Sequence, residues 1–426
     1  MLNNEQTLSL NILKHGYNCC ILGDAGTGKS YFINEFIKWC NDNDKSIIIT
    51  APTGIAALNI GGVTVHRAFG IPAKPLIENP KKIPSILKDA DILIIDEIGT
   101  LRIDVFDFIS KILISLNKFR RNNGQKDLQV ILCGDFFQLP PVISKTDRSI
   151  LEEVYGDNIK TGFAFQSKLW EVYNFKYILL TKQMRQSNSA FIKALNMIRL
   201  GDNRGLQYIS NNCAKSRIEN AIEICGINKE VEKKNKEEFN KLHTKIFKYK
   251  SKITGTVEES DMLVSPLLEL RVGCRVLAVV NDRNDEYRNG SIGVVERLTK
   301  NKVFVKFDDG TVEINPYTWN IKEYTNNNSK TEEKIIGTYT QYPLKLAYAI
   351  TIHKSQGQTY DKANLNPYCW DCGQLYVAIS RVRNIENLYI TNYLSSKYLV
   401  VSNEVKEFYN YVKSRNSLNA FINENT

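Results

Sequence analysis

Eight consecutive residues, Gly23-Asp24-Ala25-Gly26-Thr27-Gly28-Lys29-Ser30, have the types and spacing of a phosphate-binding loop. The glycines permit a tight turn whose N–H groups point at phosphate oxygens beside a helix N-terminus. Lys29 offers a point charge to the β- and γ-phosphates of a nucleoside triphosphate, and Ser30 offers a hydroxyl to Mg²⁺. A second pair, Asp96-Glu97, closes the apolar run Ile92-Leu93-Ile94-Ile95. Asp96 suits Mg²⁺, held directly or through water, and Glu97 suits orienting or deprotonating an attacking water. A third group, Gln138, sits in Gly134-Asp135-Phe136-Phe137-Gln138-Leu139-Pro140-Pro141-Val142, again directly after an apolar run. Its neutral amide can bond a γ-phosphate and a water together. Each feature has a plainer reading alone: a ligand-free turn, exposed acids at a strand end, a proline-stiffened loop. The loop specifies a triphosphate and leaves the reaction open. Two adjacent acids with separate roles fit hydrolysis better than transfer to a bound hydroxyl.

These groups need strands that end where they stand. Asn18-Cys19-Cys20-Ile21-Leu22 precedes the loop, and Tyr31-Phe32-Ile33-Asn34-Glu35-Phe36-Ile37 after it has amphipathic helical spacing. Ser46-Ile47-Ile48-Ile49-Thr50, Ile92-Leu93-Ile94-Ile95 and Leu128-Gln129-Val130-Ile131-Leu132 read as buried parallel strands, with a helix over residues 105–120. The fold class expected is α/β, a doubly wound sheet with the phosphate loop at one crossover. Pro72, Pro75, Pro80 and Pro84 forbid regular helix and make residues 68–84 an irregular excursion. A first domain over residues 1–175 and a second over 176–426 are expected, the second α/β rhythm starting at Tyr177-Ile178-Leu179-Leu180. The lysine-rich stretch 228–252 reads as a solvated helix face. The alternating run Lys302-Val303-Phe304-Val305-Lys306-Phe307, the turn Asp308-Asp309-Gly310 and the returning Thr311-Val312-Glu313-Ile314 form a hairpin signal. A small β-barrel over about residues 288–340 is the expectation, inserted in the second domain.

A chain of 426 residues with 43% hydrophobic and 24% charged residues belongs to the globular class, with two or three domains. The formal charge of +10 favours a polyanionic partner weakly. No run approaches the length of a membrane span, and the polar start resembles no secretory signal, so an intracellular soluble protein is expected. Nine scattered cysteines suit a reducing compartment; Cys369-Trp370-Asp371-Cys372 has C-x-x-C spacing without a second pair to complete a zinc site.

Taken in order, the segments resemble superfamily 1B helicases, closest to the petite-integration-frequency (Pif) family and related to phage Dda and RecD-type motors. The resemblance rests on the residues above together with Thr50-Ala51-Pro52-Thr53-Gly54-Ile55-Ala56-Ala57 and Gly61-Gly62-Val63-Thr64-Val65-His66. Leu180-Thr181-Lys182-Gln183-Met184-Arg185-Gln186, Ala349-Ile350-Thr351-Ile352-His353-Lys354-Ser355-Gln356-Gly357-Gln358-Thr359 and Tyr376-Val377-Ala378-Ile379-Ser380-Arg381 extend it across nearly the whole chain. It implies two RecA-like domains with an SH3-like barrel insertion. It implies that Gln6 reads adenine, that Gly23, Ala25, Gly26, Thr27, Gly28, Lys29, Ser30 and Gly357 line the ATP site, and that Arg185 and Arg381 reach the γ-phosphate from the second domain. Pro52, Thr53, His66, Thr351, His353, Lys354 and Ser355 match the family's single-strand DNA contacts. Phe69, at the edge of the excursion, stacks on or wedges between bases, or packs in the core. One departure stands out: Gly124-Gln125-Lys126-Asp127-Leu128-Gln129 replaces the family's Phe-Gly-Gly element, while the preceding Arg120-Arg121 is kept.

The resemblance implies an ATP- and Mg²⁺-dependent DNA helicase, a monomeric motor moving 5′ to 3′ on single-stranded DNA and opening forked duplex. The alternatives are a translocase that displaces proteins without unwinding, a small-metabolite phosphotransferase, and an inactive DNA-binding scaffold.

Overall fold

The computed structural model describes residues 2–71, 76, 78–156, 159, 161–282, 284, 286–308, 310–327 and 330–416. The chain forms two compact units, one of residues 1–185, 322–334 and 401–426, the other of residues 186–321 and 335–400.

The first unit is built on a six-stranded parallel sheet of β1 (Cys19–Gly23), β2 (Ile47–Ala51), β3 (Val63–Thr64), β4 (Ile92–Ile95), β5 (Gln129–Gly134) and β6 (Lys176–Leu180), in the order β3-β2-β4-β5-β1-β6. Alternate residues of each strand face opposite sides. Cys19, Ile21, Ile92, Ile94 and Ile131 join a core under the helices Asn4–Lys14 and Lys29–Asp42. Cys20, Leu22, Leu93, Ile95 and Val130 join another under the helix Ile103–Asn122. Both faces are therefore covered, which is why the strands read as unbroken apolar runs.

Two expected boundaries are corrected. Tyr177–Leu180 does not open the second domain: it lies in β6, paired in register with β1 from Cys19↔Lys176 to Gly23↔Leu180. The helix Asn403–Ser414 also returns to the first unit, burying Val405, Phe408, Tyr409 and Val412, the i, i+3, i+4, i+7 stripe of an amphipathic helix. Phe408 stacks on Phe165 with centroids 4.3 Å apart and planes 7° from parallel. Of the excursion at 68–84, Ala68, Phe69, Ile71 and Leu76 pack into the first unit's core, while residues 72–75 and 77 lie outside the described residues.

The second unit carries a parallel sheet of β7 (Ile222–Cys225), β18 (Ala349–Thr351), β19 (Ala363–Leu365) and β20 (Leu388–Ile390), in the order β18-β7-β19-β20. Between β7 and β18 run β8 (Phe247–Lys250), β9 (Lys252–Gly255), β10 (Leu267–Leu270), β11 (Arg275–Ala278), β12 (Ile292–Leu298), β13 (Val303–Phe307), β14 (Gly310–Ile314), β15 (Tyr317–Asn327), β16 (Lys330–Gln341) and β17 (Leu344–Leu346). The anticipated hairpin is β13–β14, paired from Val303↔Ile314 to Phe307↔Gly310. The β region is larger than expected, starting at Phe247 instead of 288. The solvated helix ends at Asn240, where Lys234–Glu238 and neighbouring pairs lie on its surface; Phe247-Lys248-Tyr249-Lys250 alternates with period two and forms a strand. The sheet β14-β13-β12-β11-β17 keeps β14 and β17 as opposite edges among the described residues, so closure into a barrel is not part of the observed pairing.

Truncating Phe408 removes the ring that ties the C-terminal helix to Phe136, Phe165 and Trp170. Phe408→Ala should destabilise the first unit by about 3–5 kcal/mol, measured by denaturant unfolding.

Candidate active site

The phosphate loop joins β1 to the helix Lys29–Asp42, whose N-cap is Gly28 at φ 77° with no side-chain cap bond. The N-cap glycine thus gives the first turn no side-chain bond, the setting in which helix N-termini take anions. Gly23 is required by crowding: a Cβ there would lie 2.8 Å from the Leu180 carbonyl oxygen of β6 and 2.7 Å from Thr27 Oγ1. Lys29 Nζ donates to the Gly23 and Asp24 carbonyls at 2.8 and 3.0 Å, lying across its own loop. Thr27 Oγ1 donates to the Asp24 carbonyl. The Met184 N–H donates to the Gly26 carbonyl at 2.8 Å, so the segment after β6 is laced to the loop. Glu5 holds that segment too, accepting from Thr181 and Lys182 N–H.

Gln6 is buried in the helix Asn4–Lys14. It completes a capping box with Asn3 and donates from Nε2 to the Thr27 carbonyl at 3.4 Å. In this structure its amide supports the loop from behind. Arg185 belongs to the first unit, not to the second as expected, because β6 and the residues after it are part of the first.

Asp96 and Glu97 follow β4. Asp96 is 6% exposed, and burial raises its pKa, opposed by hydrogen bonds from the Glu97 backbone and the Cys133 thiol and by the charge of Lys29. An ionised carboxylate so placed costs the ligand-free fold and is relieved by a cation. Glu97 occupies the left-handed region at φ 52°, a conformation costing about 1–2 kcal/mol for a non-glycine residue and concentrated at functional sites. The uncapped helix terminus, Lys29, the Ser30 hydroxyl and the buried Asp96 are a donor and acceptor set that fits a Mg²⁺-nucleotide.

Gln138, 7% exposed, donates from Nε2 to Asp135 Oδ2 at 3.3 Å. Asp135 Oδ1 accepts from the Phe137 N–H and from the Tyr409 hydroxyl, each at 3.1 Å. Tyr409 lies on the C-terminal helix and its ring packs on Phe137 with centroids 4.6 Å apart. Sequence motifs single out neither Asp135 nor Tyr409. Asp135 stands in the same loop as Gln138; Tyr409 is 274 residues from Asp135 and carries no local signal.

The strand-end segments share one local device. Thr53, after β2, caps the helix Gly54–Asn59 by accepting from Ala56 N–H, and Thr351, ending β18, caps Ile352–Ser355 by accepting from Lys354 N–H. Thr53 is exposed, Pro52 and His66 are half-buried, and burial with the charge of Arg102 lowers the His66 pKa, opposed by Asp104. His353 and Lys354 are exposed; desolvation lowers the His353 pKa against the opposing charge of Asp371.

Three candidates are not presented to a ligand. Phe69 is 4% exposed within the first unit's core, so its ring is not a surface wedge. Thr351 is buried, and Ser355 is buried with its hydroxyl given to the Ile352 carbonyl. Gly357 is exposed at φ 76° and makes the turn after Ser355.

Arg381 is buried in the second unit. Its guanidinium donates to the Val377, Ser355 and Gln358 carbonyls and to Ser380 Oγ. Gln186 brackets it, donating from Nε2 to the Ser380 and Val382 carbonyls. Arg381 thus ties the helix Gln374–Ile379 to the 353–358 segment. Arg120, kept where the family element is lost, is structural: it donates to the Lys88, Ala90 and Lys126 carbonyls.

This fold and site define a P-loop NTPase with two RecA-like units. The family model for PIF1-like helicase matches residues 1–207. The ATP-dependent DNA helicase Pif1 of Campylobacter jejuni is 32% identical, covering 96% of this chain and 97% of its own. The crystal structure of Bacteroides sp Pif1 in complex with ADP-AlF4 is 34% identical over 97% of each chain, with a TM-score of 0.85. Bacteroides Pif1 bound to ssDNA gives 0.67 at the same identity and coverage. The chain belongs to the PIF1-like helicase family.

Because burial raises the Asp96 pKa, its ionised form destabilises the ligand-free fold above that pKa, and the penalty vanishes below the unfolded value. Asp96→Asn should raise the melting temperature at neutral pH by a few degrees while abolishing Mg²⁺-dependent ATP hydrolysis. Tyr409→Phe keeps the ring on Phe137 and deletes one bond to a carboxylate. It should lower ATPase kcat about tenfold with KM for ATP unchanged, measured under saturating DNA.

Proposed function

We propose that this protein is an ATP-dependent DNA helicase, a monomeric motor that moves 5′ to 3′ along single-stranded DNA and unwinds duplex at forks. The observation that carries the chemistry is the convergence of three strand ends, β1, β4 and β5, that bear Lys29, Asp96 with Glu97, and Gln138. Near-full-length likeness to a DNA helicase and to a structure bound to ssDNA supports the substrate. Direction rests on the family resemblance.

In this reading the uncapped helix terminus binds phosphate oxygens, and Lys29 exchanges its carbonyl partners for the β- and γ-phosphates. Ser30 and Asp96 would hold Mg²⁺, which neutralises phosphate charge when bound. Glu97 takes a proton from the attacking water, and Gln138, steadied by Asp135, orients that water. Arg185 and Arg381 are the proposed guanidinium stabilisers of transition-state charge. Pro52, Thr53, His66, His353 and Lys354 are the proposed DNA contacts; their small hydroxyl and basic side chains suit phosphate contacts without base readout. The protein then works on DNA in replication, repair or recombination. Nine free thiols accord with a reducing compartment, and among the described residues no helix is long and apolar enough to cross a membrane.

Forked substrates with a 5′ or a 3′ tail test this directly. ATP-dependent strand separation is expected on the 5′-tailed fork alone. Glu97→Gln should lower turnover about 10²–10⁴-fold with nucleotide binding retained. Removal of a bound protein block from single-stranded DNA without strand separation would favour the translocase reading instead.

A further inference from the structure

Cys369-Trp370-Asp371-Cys372 has metal-ligand spacing, yet the described residues contain no group of three acidic, His or Cys side chains able to hold a metal. Cys369 is 3% exposed and burial pushes its thiol pKa up to about 12, so it is a protonated apolar peg. Its neighbours point the other way: Tyr368 is 50% and Trp370 48% exposed. The loop is held in that pose by polar bonds. Buried Gln374 accepts from the Trp370 and Asp371 N–H groups at 3.0 and 3.4 Å, and Asn366 Oδ1 accepts from the Tyr368 N–H. Gly226, just past β7, makes room beneath: a Cβ there would lie 2.6 Å from Trp370 Cζ3 and 2.6 Å from the Tyr368 carbonyl oxygen.

The rings form a cluster. Tyr368 is 5.9 Å from Trp370 and 6.0 Å from Tyr398, centroid to centroid, and Lys397 Nζ stands 4.9 Å from the Tyr398 ring. Their position is specific. This loop follows β19 and Gly226 follows β7, while His353 and Lys354 follow β18, all at the C-terminal edge of one parallel sheet. Asp371, next to Trp370, is close enough for its charge to act on His353. Half-exposed aromatic rings gathered at a site and flanked by a lysine mark a recognition surface, and flat π-faces beside a cation match nucleobases and their phosphates.

We propose that Tyr368, Trp370 and Tyr398 form a platform on which bases of single-stranded DNA stack where the strand passes the His353–Lys354 segment. The proposal rests on the reading of His353 and Lys354 as DNA contacts. Stacking is sequence-tolerant, because every base has a π-face, which suits a motor that must grip any strand. Lys397 takes a backbone phosphate beside the rings, and Asp371 keeps phosphates from lying over Trp370 itself.

Intrinsic fluorescence tests it, because Trp170 and Trp319 are buried and Trp39 packs on Phe36, leaving Trp370 the most exposed of the four indoles. The full chain is titrated with an oligo(dT) carrying a dye for anisotropy, and with an abasic strand of equal length. The expected result is quenching by oligo(dT), little by the abasic strand, and loss of the quench in Trp370→Leu with about tenfold weaker binding. Trp370→Phe, which keeps an aromatic face, should restore the affinity, a recovery that a merely structural role would not produce. Oligo(dT) bound by anisotropy with no Trp370-dependent quench, or equal quenching by the abasic strand, overturns the platform while leaving the helicase reading intact. Absence of oligo(dT) binding altogether overturns both.

Discussion

A parallel sheet covered on both faces leaves only its edges for polar chemistry, and that constraint shapes the first unit. Along β1, β4 and β5 every described side chain is buried. A charged group can leave the sheet only where a strand stops. Lys29, Asp96 and Gln138 all follow C-terminal strand ends, the edge where loops and helix N-termini face outward. Asp96 stands at the limit of this arrangement: one residue deeper it would be an uncompensated charge in apolar core, one residue later it would be solvated and weakly held. Burial raises its pKa there, against the hydrogen bonds and the Lys29 charge that favour the ionised form. Glu97 meets the same corner with a cost in backbone conformation, turning through φ 52°.

Much of this is legible in the order of the residues alone. Unbroken apolar runs mark β1, β2, β4 and β5 because burial on both faces removes the need for alternation. The phosphate loop is legible because crowding at Gly23 and the left-handed turn at Gly28 leave no other residue type, and glycine spacing is therefore a direct record of geometry. What escapes is pairing across long sequence distance. β6 reads as the opening of a second α/β rhythm, and nothing local says that it adds to the edge of the first sheet beside β1. Phe247-Lys248-Tyr249-Lys250 hides within a lysine-rich stretch whose composition masks its period of two.

The residues that act through others are the hardest to find. Asp135 and Tyr409 steady Gln138, and Gln186 flanks the buried Arg381, yet none touches a ligand in the proposed chemistry. Their types are ordinary and their partners are carbonyls, hydroxyls or a side chain far along the chain. Phe69, left open between a surface and a core role, falls to the core. An aromatic ring at the border of an irregular excursion invites a surface role, but Val65, Ala68 and Ile71 around it are buried, and the ring follows them inward.

The return of the C-terminal helix has a consequence for how the protein comes into being. The first unit needs Val405, Phe408, Tyr409 and Val412 to close its core, although its own N-terminal segment ends at residue 185. On a ribosome adding about 5–20 residues per second, the first unit waits about 10–45 s with this part of its core uncovered while the second unit is made. The second unit, residues 186–321 and 335–400, is complete before that helix emerges and can settle first. Birth order and chain order are thus reversed: the part that begins earliest is sealed last.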